Sequence, residues 1–566
     1  MYRDRRFREN QRPVHRSKKR KFYGNRYIKI SETSPSTSSK KITGSDDFDV
    51  VVIPTHVYSI INFNLVFSAL SNILKCKICD GDVTFGKKDE QGLGFQLAIQ
   101  CHCGDNFINS CARIGNKEAY EINRKFVFIM RLLGIGLHGI NCFIGLMDLG
   151  KSMNTKTYYA AIENIFRSTK AVFDEVVKKA GREEKEQNIE NGFEEDKFIV
   201  SGDGSWRKRG FSSLFGVITL IGHFSNKVLD LVVKSSFCKA CVTWKNKLNT
   251  AEYENWYSEH KEECSANHAG KMEVNAILEM FARAEDIHDV KYKQYIGNGG
   301  TKTFKTLLKQ DSEVEKKECV NHVQKRMAAR LRNLKITNKS ICKENVGNLT
   351  NKLINDFTVY YGLAIKHNPN SVENMINDVW ATYEHKISTN EKPMHDCCPP
   401  GPNSWCKWRR AEAVGTLDDF DHPLPLNDKV QQAIRPIFED LSSWSLLNRC
   451  RGSYTQNDHE SYDKTIWQFA PKHILCDSQI VTISAYLAAC IFNEGFKPIL
   501  KIMQTMGITI GPYADLFASK RDTERLREAM TLESVEENVL YKNEELQEPQ
   551  HFEEVEGLLY GPGIIN

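Results

Sequence analysis

Asp203 and Glu460 stand 257 positions apart (460 − 203), and each lies in a segment built like half of a metal-binding active site. Any fold that uses both must bring distant parts of the chain together. The first half is Ser201-Gly202-Asp203-Gly204-Ser205-Trp206-Arg207-Lys208-Arg209-Gly210, directly after Phe198-Ile199-Val200. That apolar run predicts a buried strand, and the flanking glycines suit a sharp turn at its end. The second half is Thr455-Gln456-Asn457-Asp458-His459-Glu460-Ser461, and the residues that follow, through Trp467, read as a helix. Carboxylates on a strand and on a remote helix can share divalent ions, as two-metal enzymes do to hold both oxygens of a phosphodiester.

The surrounding pattern is mixed α/β. Strand-like runs recur at Leu214 to Ile221 and Val228 to Val233, and a helix at 271–284 precedes a strand from Tyr292 to Ile296. Residues 302–390 read mainly as helix, and helices resume at 428–440 and 461–506. Upstream, Arg124 to Leu133, His138 to Leu149 and a run from Asn154-Thr155 have helical spacing, with Gly134-Ile135-Gly136 between the first two. Three helices with short turns make either a helix-turn-helix reader of DNA or a bundle that supports the core. The apolar stretch from Phe126 to Leu149 is broken by Arg131, His138 and Asn141, which excludes a membrane span.

Cysteine usage points to metal. Seventeen cysteines in a chain whose N-terminus is too basic for a secretory signal argue for a reducing compartment and against a disulfide framework. Cys238-x2-Cys241-x18-His260-x3-Cys264 has four soft donors at zinc spacing and leaves no open position, so it reads as structural. Cys76-x2-Cys79-x21-Cys101-x-Cys103 resembles a zinc ribbon with a shortened second knuckle, for which His102 or Cys111 could substitute. A third set is Cys319-x2-His322 with His395-x2-Cys398 and Cys406, where zinc, substrate contact and packing all remain open.

The net charge of +5 hides a polarity. Residues 1–41 carry 14 Lys/Arg against 3 Asp/Glu, whereas residues 533–556 carry 9 Glu against Lys542. The basic arm, with Ser17-Lys18-Lys19-Arg20-Lys21, fits a nuclear address, and both ends are expected to be disordered. Gly297-Asn298-Gly299-Gly300-Thr301-Lys302 lacks the spacing of a triphosphate-binding loop. No Ser or Cys nucleophile has a positioned base.

The Gly-Asp-Gly-Ser-Trp block at 202–206 and the Thr-Gln-Asn…Glu-Ser block at 455–461 resemble those of Mutator-like DNA transposases. The resemblance extends through Cys238…Cys264, Tyr295-Ile296-Gly297, Cys319…His322 and His395…Trp408, over roughly residues 60 to 510. It implies an RNase H-like catalytic core with an Asp-Asp-Glu triad and Mg²⁺ or Mn²⁺, interrupted by a helical insertion. Asp203 takes the first position and Glu460 the third, with Glu391 a weaker candidate for the third. The second falls on Asn298, where the family usually has Gly-Asp-Gly-Asp and this chain has Gly297-Asn298-Gly299-Gly300. A neutral amide in place of a carboxylate predicts impaired strand cleavage.

The implied partner is double-stranded DNA, specifically transposon terminal inverted repeats, with a possible homo-oligomer. Lys208, Arg209, Lys325, Arg326, Arg330 and Arg332 are candidate phosphate contacts, the last four equally a solvated helix face. Trp405 and Trp408 with Lys407, Arg409 and Arg410 either stack on a distorted DNA end or belong to the core. The expected order is a basic arm (1–48), a Cys-rich module (49–115), a helical region (116–192), the core (193–510) and an acidic tail (511–566). The core would carry a zinc-like insertion at 238–268 and a helical one at 301–450. The competing reading is a domesticated or decayed copy that acts only as a DNA-binding or protein-interaction module.

Overall fold

The computed structural model describes residues 48–114, 119–208, 213–263, 269–297, 301–338, 347–402, 404–474 and 476–544. The basic arm up to residue 47 therefore lies outside the described residues, as do Arg209, Cys264 and Asn298.

Near the N-terminus, β1 (Thr84–Gln91), β2 (Gly94–Cys101) and β3 (Gly104–Asn109) form an antiparallel sheet beside the helix Phe63–Ser71. A short pair, β4 (Arg113–Ile114) and β5 (Ala119–Tyr120), leads into the helices Glu121–Leu132, Leu137–Leu146 and Thr155–Glu190. Asn154 caps the last of these by accepting from the Thr157 N–H at 2.8 Å. Val127, Phe128, Ile140, Ile144, Ile162 and Ile165 share one core with residues from the helices Ser478–Glu494 and Lys497–Thr505. The three helices are thus built as a supporting bundle. The first two are bent by 115°, and no single helix among the described residues is long and apolar enough to cross a membrane.

The central sheet comprises β6 (Lys197–Trp206), β7 (Phe215–Gly222), β8 (Val228–Ser235), β9 (Lys291–Gly297) and β10 (Glu315–Glu318), in the order β10-β9-β6-β7-β8. β6, β7 and β8 form an antiparallel meander, whereas β9 runs parallel to β6 and β10 parallel to β9. Strand alternation divides β7 between two cores. Val217 and Ile221 face the helices Thr155–Glu190 and Ser478–Glu494, whereas Ile218 and Leu220 face the helix Ala269–Ala282. Each such side chain contributes about 1.5–3 kcal/mol by leaving water, which is why an all-apolar strand is stable only between two helical layers.

The helical insertion has its own core. Val323, Met327, Phe357, Tyr361, Val379 and Phe438 are buried together, drawn from helices between Val320 and Leu441.

Three expectations need correction. The glycines around Asp203 do not make a turn, because β6 continues to Trp206. They make room instead: a Cβ on Gly202 would come within 2.5 Å of the Tyr295 ring. β10 lies in a stretch read as helix; its sequence, Glu315-Lys316-Lys317-Glu318, has no apolar alternation, which suits an edge strand that must not recruit another chain. Finally, residues 512–544 of the supposedly disordered tail form a helix. It is docked by Asp522, whose carboxylate accepts from the Phe496 N–H at 2.9 Å, and by Arg525, which donates to the Ile491 and Phe492 carbonyls.

Candidate active site and metal centres

Asp203 lies in the middle of β6, paired with Thr219 of β7, and its Oδ1 accepts from the Gly204 N–H at 2.8 Å. The helix Asn457–Phe469 is tied to the same strand on both sides of it. Gln456 Nε2 donates to the Gly202 carbonyl at 2.9 Å, and Trp467 Nε1 donates to Ser205 Oγ at 2.7 Å. His459 is 1% exposed, with Nε2 3.1 Å from both the Ser201 carbonyl and Ser201 Oγ, and Nδ1 3.1 Å from Thr219 Oγ1. His459, Tyr462 and Ile466 fill the buried face of the helix, and Glu460 stands exposed beside them. The glutamate named from the sequence is therefore carried on a helix anchored to the Asp203 strand.

Two further carboxylates surround Asp203. Glu273, on the helix Ala269–Ala282, is pushed up to about 7 by burial and then by the negative charge of Asp203. Asp463, one turn beyond Glu460, is raised well above the usual carboxylate range by burial and by Asp203, against a stabilising hydrogen bond from Ser205. In both, burial is the larger cause and the charge of Asp203 the second. Asp463 stands within the quoted motif region, but nothing local in the sequence marks Glu273. β9, which leads toward position 298, pairs Ile296 with Ser201 of β6. Glu391 is placed elsewhere, exposed beside His422 in the helical insertion.

Cys319 lies near Asp203, and neither it nor His322 belongs to a Cys/His cluster among the described residues. Cys319 is 1% exposed at the N-cap of the helix Val320–Thr337, and burial raises its thiol, with a smaller contribution from Asp203. Burial pushes His322 down to about 4. His395, Cys398 and Cys406 do meet, and the residue that joins them is His385.

Of the other two Cys/His sets, one is assembled in full and the other in the three donors that lie within the described residues, Cys238, Cys241 and His260. Cys76, Cys79, Cys101 and Cys103 have their sulfurs within 4.8 Å of one another, so the Cys-x-Cys knuckle closes without His102 or Cys111. The Ile78 and Cys79 N–H groups hold the Cys76 thiol down to about 6, near the thiolate a soft cation needs. His260 Nε2 lies 3.3 Å from Cys238 Sγ and 3.4 Å from Cys241 Sγ. These donor sets can hold a metal ion such as zinc.

The candidate phosphate contacts differ in engagement. Lys208 is exposed. Arg326 pairs with the buried Glu318 at 2.6 Å, and Arg330 pairs with Asp440. Trp408 stacks on His395 and Trp405 packs edge-on against His385, so both tryptophans wrap the Cys/His cluster.

No curated protein and no solved structure matches the chain. A sequence model of the Mutator-like transposases matches residues 57–406, a stretch that includes Asp203 and the three Cys/His sets and stops before the helix that bears Glu460. That match covers more than half of the 566 residues, and the chain belongs to the Mutator-like transposase family.

Proposed function

We propose that the chain is a transposase-derived nuclear DNA-binding protein whose carboxylate site descends from a DNA strand-cleaving and strand-joining centre and now works poorly. The observation that carries this reading is the anchoring of the helix Asn457–Phe469 to β6 through Gln456, His459 and Trp467, which sets Glu460 and Asp463 beside the Asp203 strand. The sheet order, an antiparallel meander followed by two parallel strands added at β6, supports an RNase H-like core. Asp203 and Glu460 would hold Mg²⁺ or Mn²⁺, with Asp463 and Glu273 adding charge from the second rank. Such ions, when bound, would activate the attacking oxygen and stabilise the leaving one. Asn298 offers a neutral oxygen at the second family position, which weakens the hold on two divalent ions.

Lys208, exposed beyond the end of β6, would meet DNA phosphates, as would Arg209 next to it in sequence, with terminal inverted repeats as the DNA class and the arm at Lys18 to Lys21 as the import address. The test is a nicking assay with Mg²⁺ or Mn²⁺. The native chain should bind DNA and cut little, Asn298→Asp should raise cutting, and Asp203→Ala in that background should abolish it. Robust native cutting that survives Asp203→Ala would overturn the site. Robust native cutting lost in both Asp203→Ala and Asp463→Asn would overturn the impairment and move the third carboxylate from Glu460 to Asp463, one turn along the same helix.

A further inference from the structure

We infer that His385, His395, Cys398 and Cys406 form a closed zinc site that pins the 388–406 loop to the helical insertion. His385 lies in the last turn of the helix Val372–Ile387, and Cys406 is the N-cap of the helix Lys407–Val414. His395, Cys398 and Cys406 are 3%, 2% and 0% exposed. One consistent set of four atoms converges. His385 Nδ1 and His395 Nδ1 are 3.4 Å apart. Cys406 Sγ is 3.6 Å from His385 Nδ1 and 3.4 Å from His395 Nδ1, and Cys398 Sγ is 3.7 Å from His395 Nδ1. A tetrahedron with Zn–N near 2.0–2.1 Å and Zn–S near 2.3 Å has N···N edges of about 3.4 Å and S···N edges of about 3.6 Å. The observed edges are those of that tetrahedron.

The surroundings fix the tautomers. His422 Nδ1 is 2.7 Å from Asn390 Oδ1, which can only accept, so His422 donates there and its Nε2 is an acceptor. His395 Nε2, 2.9 Å from His422 Nε2 and 3.0 Å from Ser388 Oγ, is then the donor. That leaves His395 Nδ1 with a bare lone pair aimed at His385 Nδ1 and two sulfurs, the state a bound cation requires. The Arg409 N–H also reaches Cys406 Sγ at 3.4 Å, a contact that favours the thiolate. Four protein donors leave no position for substrate, so the site is structural, and it is independent of the carboxylate chemistry around Asp203.

The experiment is zinc analysis of the purified full-length chain and its variants. Cys398→Ser/Cys406→Ser is expected to hold one zinc fewer per chain than the native protein. His422→Ala should keep the ion but weaken it about 10–100-fold in chelator competition, because the imidazole donor loses its orienting partner. If the double variant fails to accumulate, His385→Cys decides. It should keep the full zinc content and, after Co²⁺ exchange, strengthen the sulfur-to-metal charge-transfer absorption. A folded double variant with unchanged zinc, an unaltered Co²⁺ band in His385→Cys, or a Cys398–Cys406 disulfide in the native protein would each overturn the site.

Discussion

The donors around His395 lie within 4.8 Å of one another and the carboxylates around Asp203 are near enough to raise one another's carboxyls, yet the two regions are assembled over very different spans. Cys406 is 21 residues from His385 (406 − 385), and a helix end, a loop and a helix start supply everything. The Asp203 region needs a strand, a helix 257 residues away and a second helix carrying Glu273. The first is largely buried and made of thiol and imidazole donors. The second keeps Glu460 in solvent and sets the half-buried Glu273 and Asp463 against Asp203, which raises both carboxyls. A structural site can be local because it must only cross-link its neighbourhood, whereas a site that handles a polymer must open onto a surface and draw on the whole sheet.

The largest expected effect separates the two directly. Stripping metal with a strong chelator should open the 388–406 loop to protease, because ligand capture and local folding are one equilibrium, worth about 10–16 kcal/mol in isolated zinc-finger peptides. Amides of β6, β7 and β8 should keep their hydrogen-exchange protection. Loss of protection throughout the sheet would show that the regions are not independent.

The converse perturbation is His459→Ala. It removes a buried ring that touches both Ser201 and Thr219, leaving a cavity and orphaned polar groups at a cost of roughly 3 kcal/mol. Exchange should quicken in residues 457–469 and leave the Phe357 core unchanged. Uniform loss across both would mean that the insertion and the sheet unfold as a unit.

What was legible in the sequence follows the same division between local and distant. Phe198 to Val200, the β7 and β8 runs and the Cys76, Cys79, Cys101, Cys103 set were readable because continuous apolar runs and metal spacing are short-range signals. Asp203 and Glu460 were readable only as two motifs, and what joins them is Gln456, His459 and Trp467. His385 was invisible because it stands ten residues ahead of His395 (395 − 385) on a helix, and only the loop's return makes it a ligand. Glu273 was invisible because nothing in an amphipathic helix says which turn will lie against Asp203. Cys319 and His322 lie outside the His395 cluster among the described residues, since a spacing of three specifies a shared helix face and not what that face meets.

An acid titration sharpens the comparison from the sheet side. His223 follows β7 and packs against Phe224 and Tyr454, and burial pushes it from 6.5 down to about 4. The neighbouring Glu184 carboxylate accepts from the Phe224 and Ser225 N–H groups at 3.0 and 2.7 Å. A depressed histidine favours the unfolded chain on protonation, so its contribution is complete above about 6.5 and is lost as pH falls toward 4. At pH 5 that loss is about 2 kcal/mol. His223→Phe should therefore gain about that much over the native chain at pH 5 and much less at pH 8, in denaturant midpoints. An equal gain at both values would mean packing rather than charge.

The smallest effect concerns how the two regions would meet DNA. Lys208 is exposed on the segment that leaves β6 beyond Asp203, whereas Arg330 is already engaged by Asp440 and Arg326 by the buried Glu318. A free cation at a phosphate releases one condensed counterion, but a cation held by a carboxylate has little net charge to offer. Lys208→Ala should lower the slope of log affinity against log salt by about one and weaken binding less than tenfold. Arg330→Ala should leave the slope unchanged and cost at most about 1 kcal/mol of stability through its half-exposed pair. The reverse ranking in a salt series would move the DNA path from the end of β6 to the outer face of the insertion, and with it the part of the molecule that touches nucleic acid.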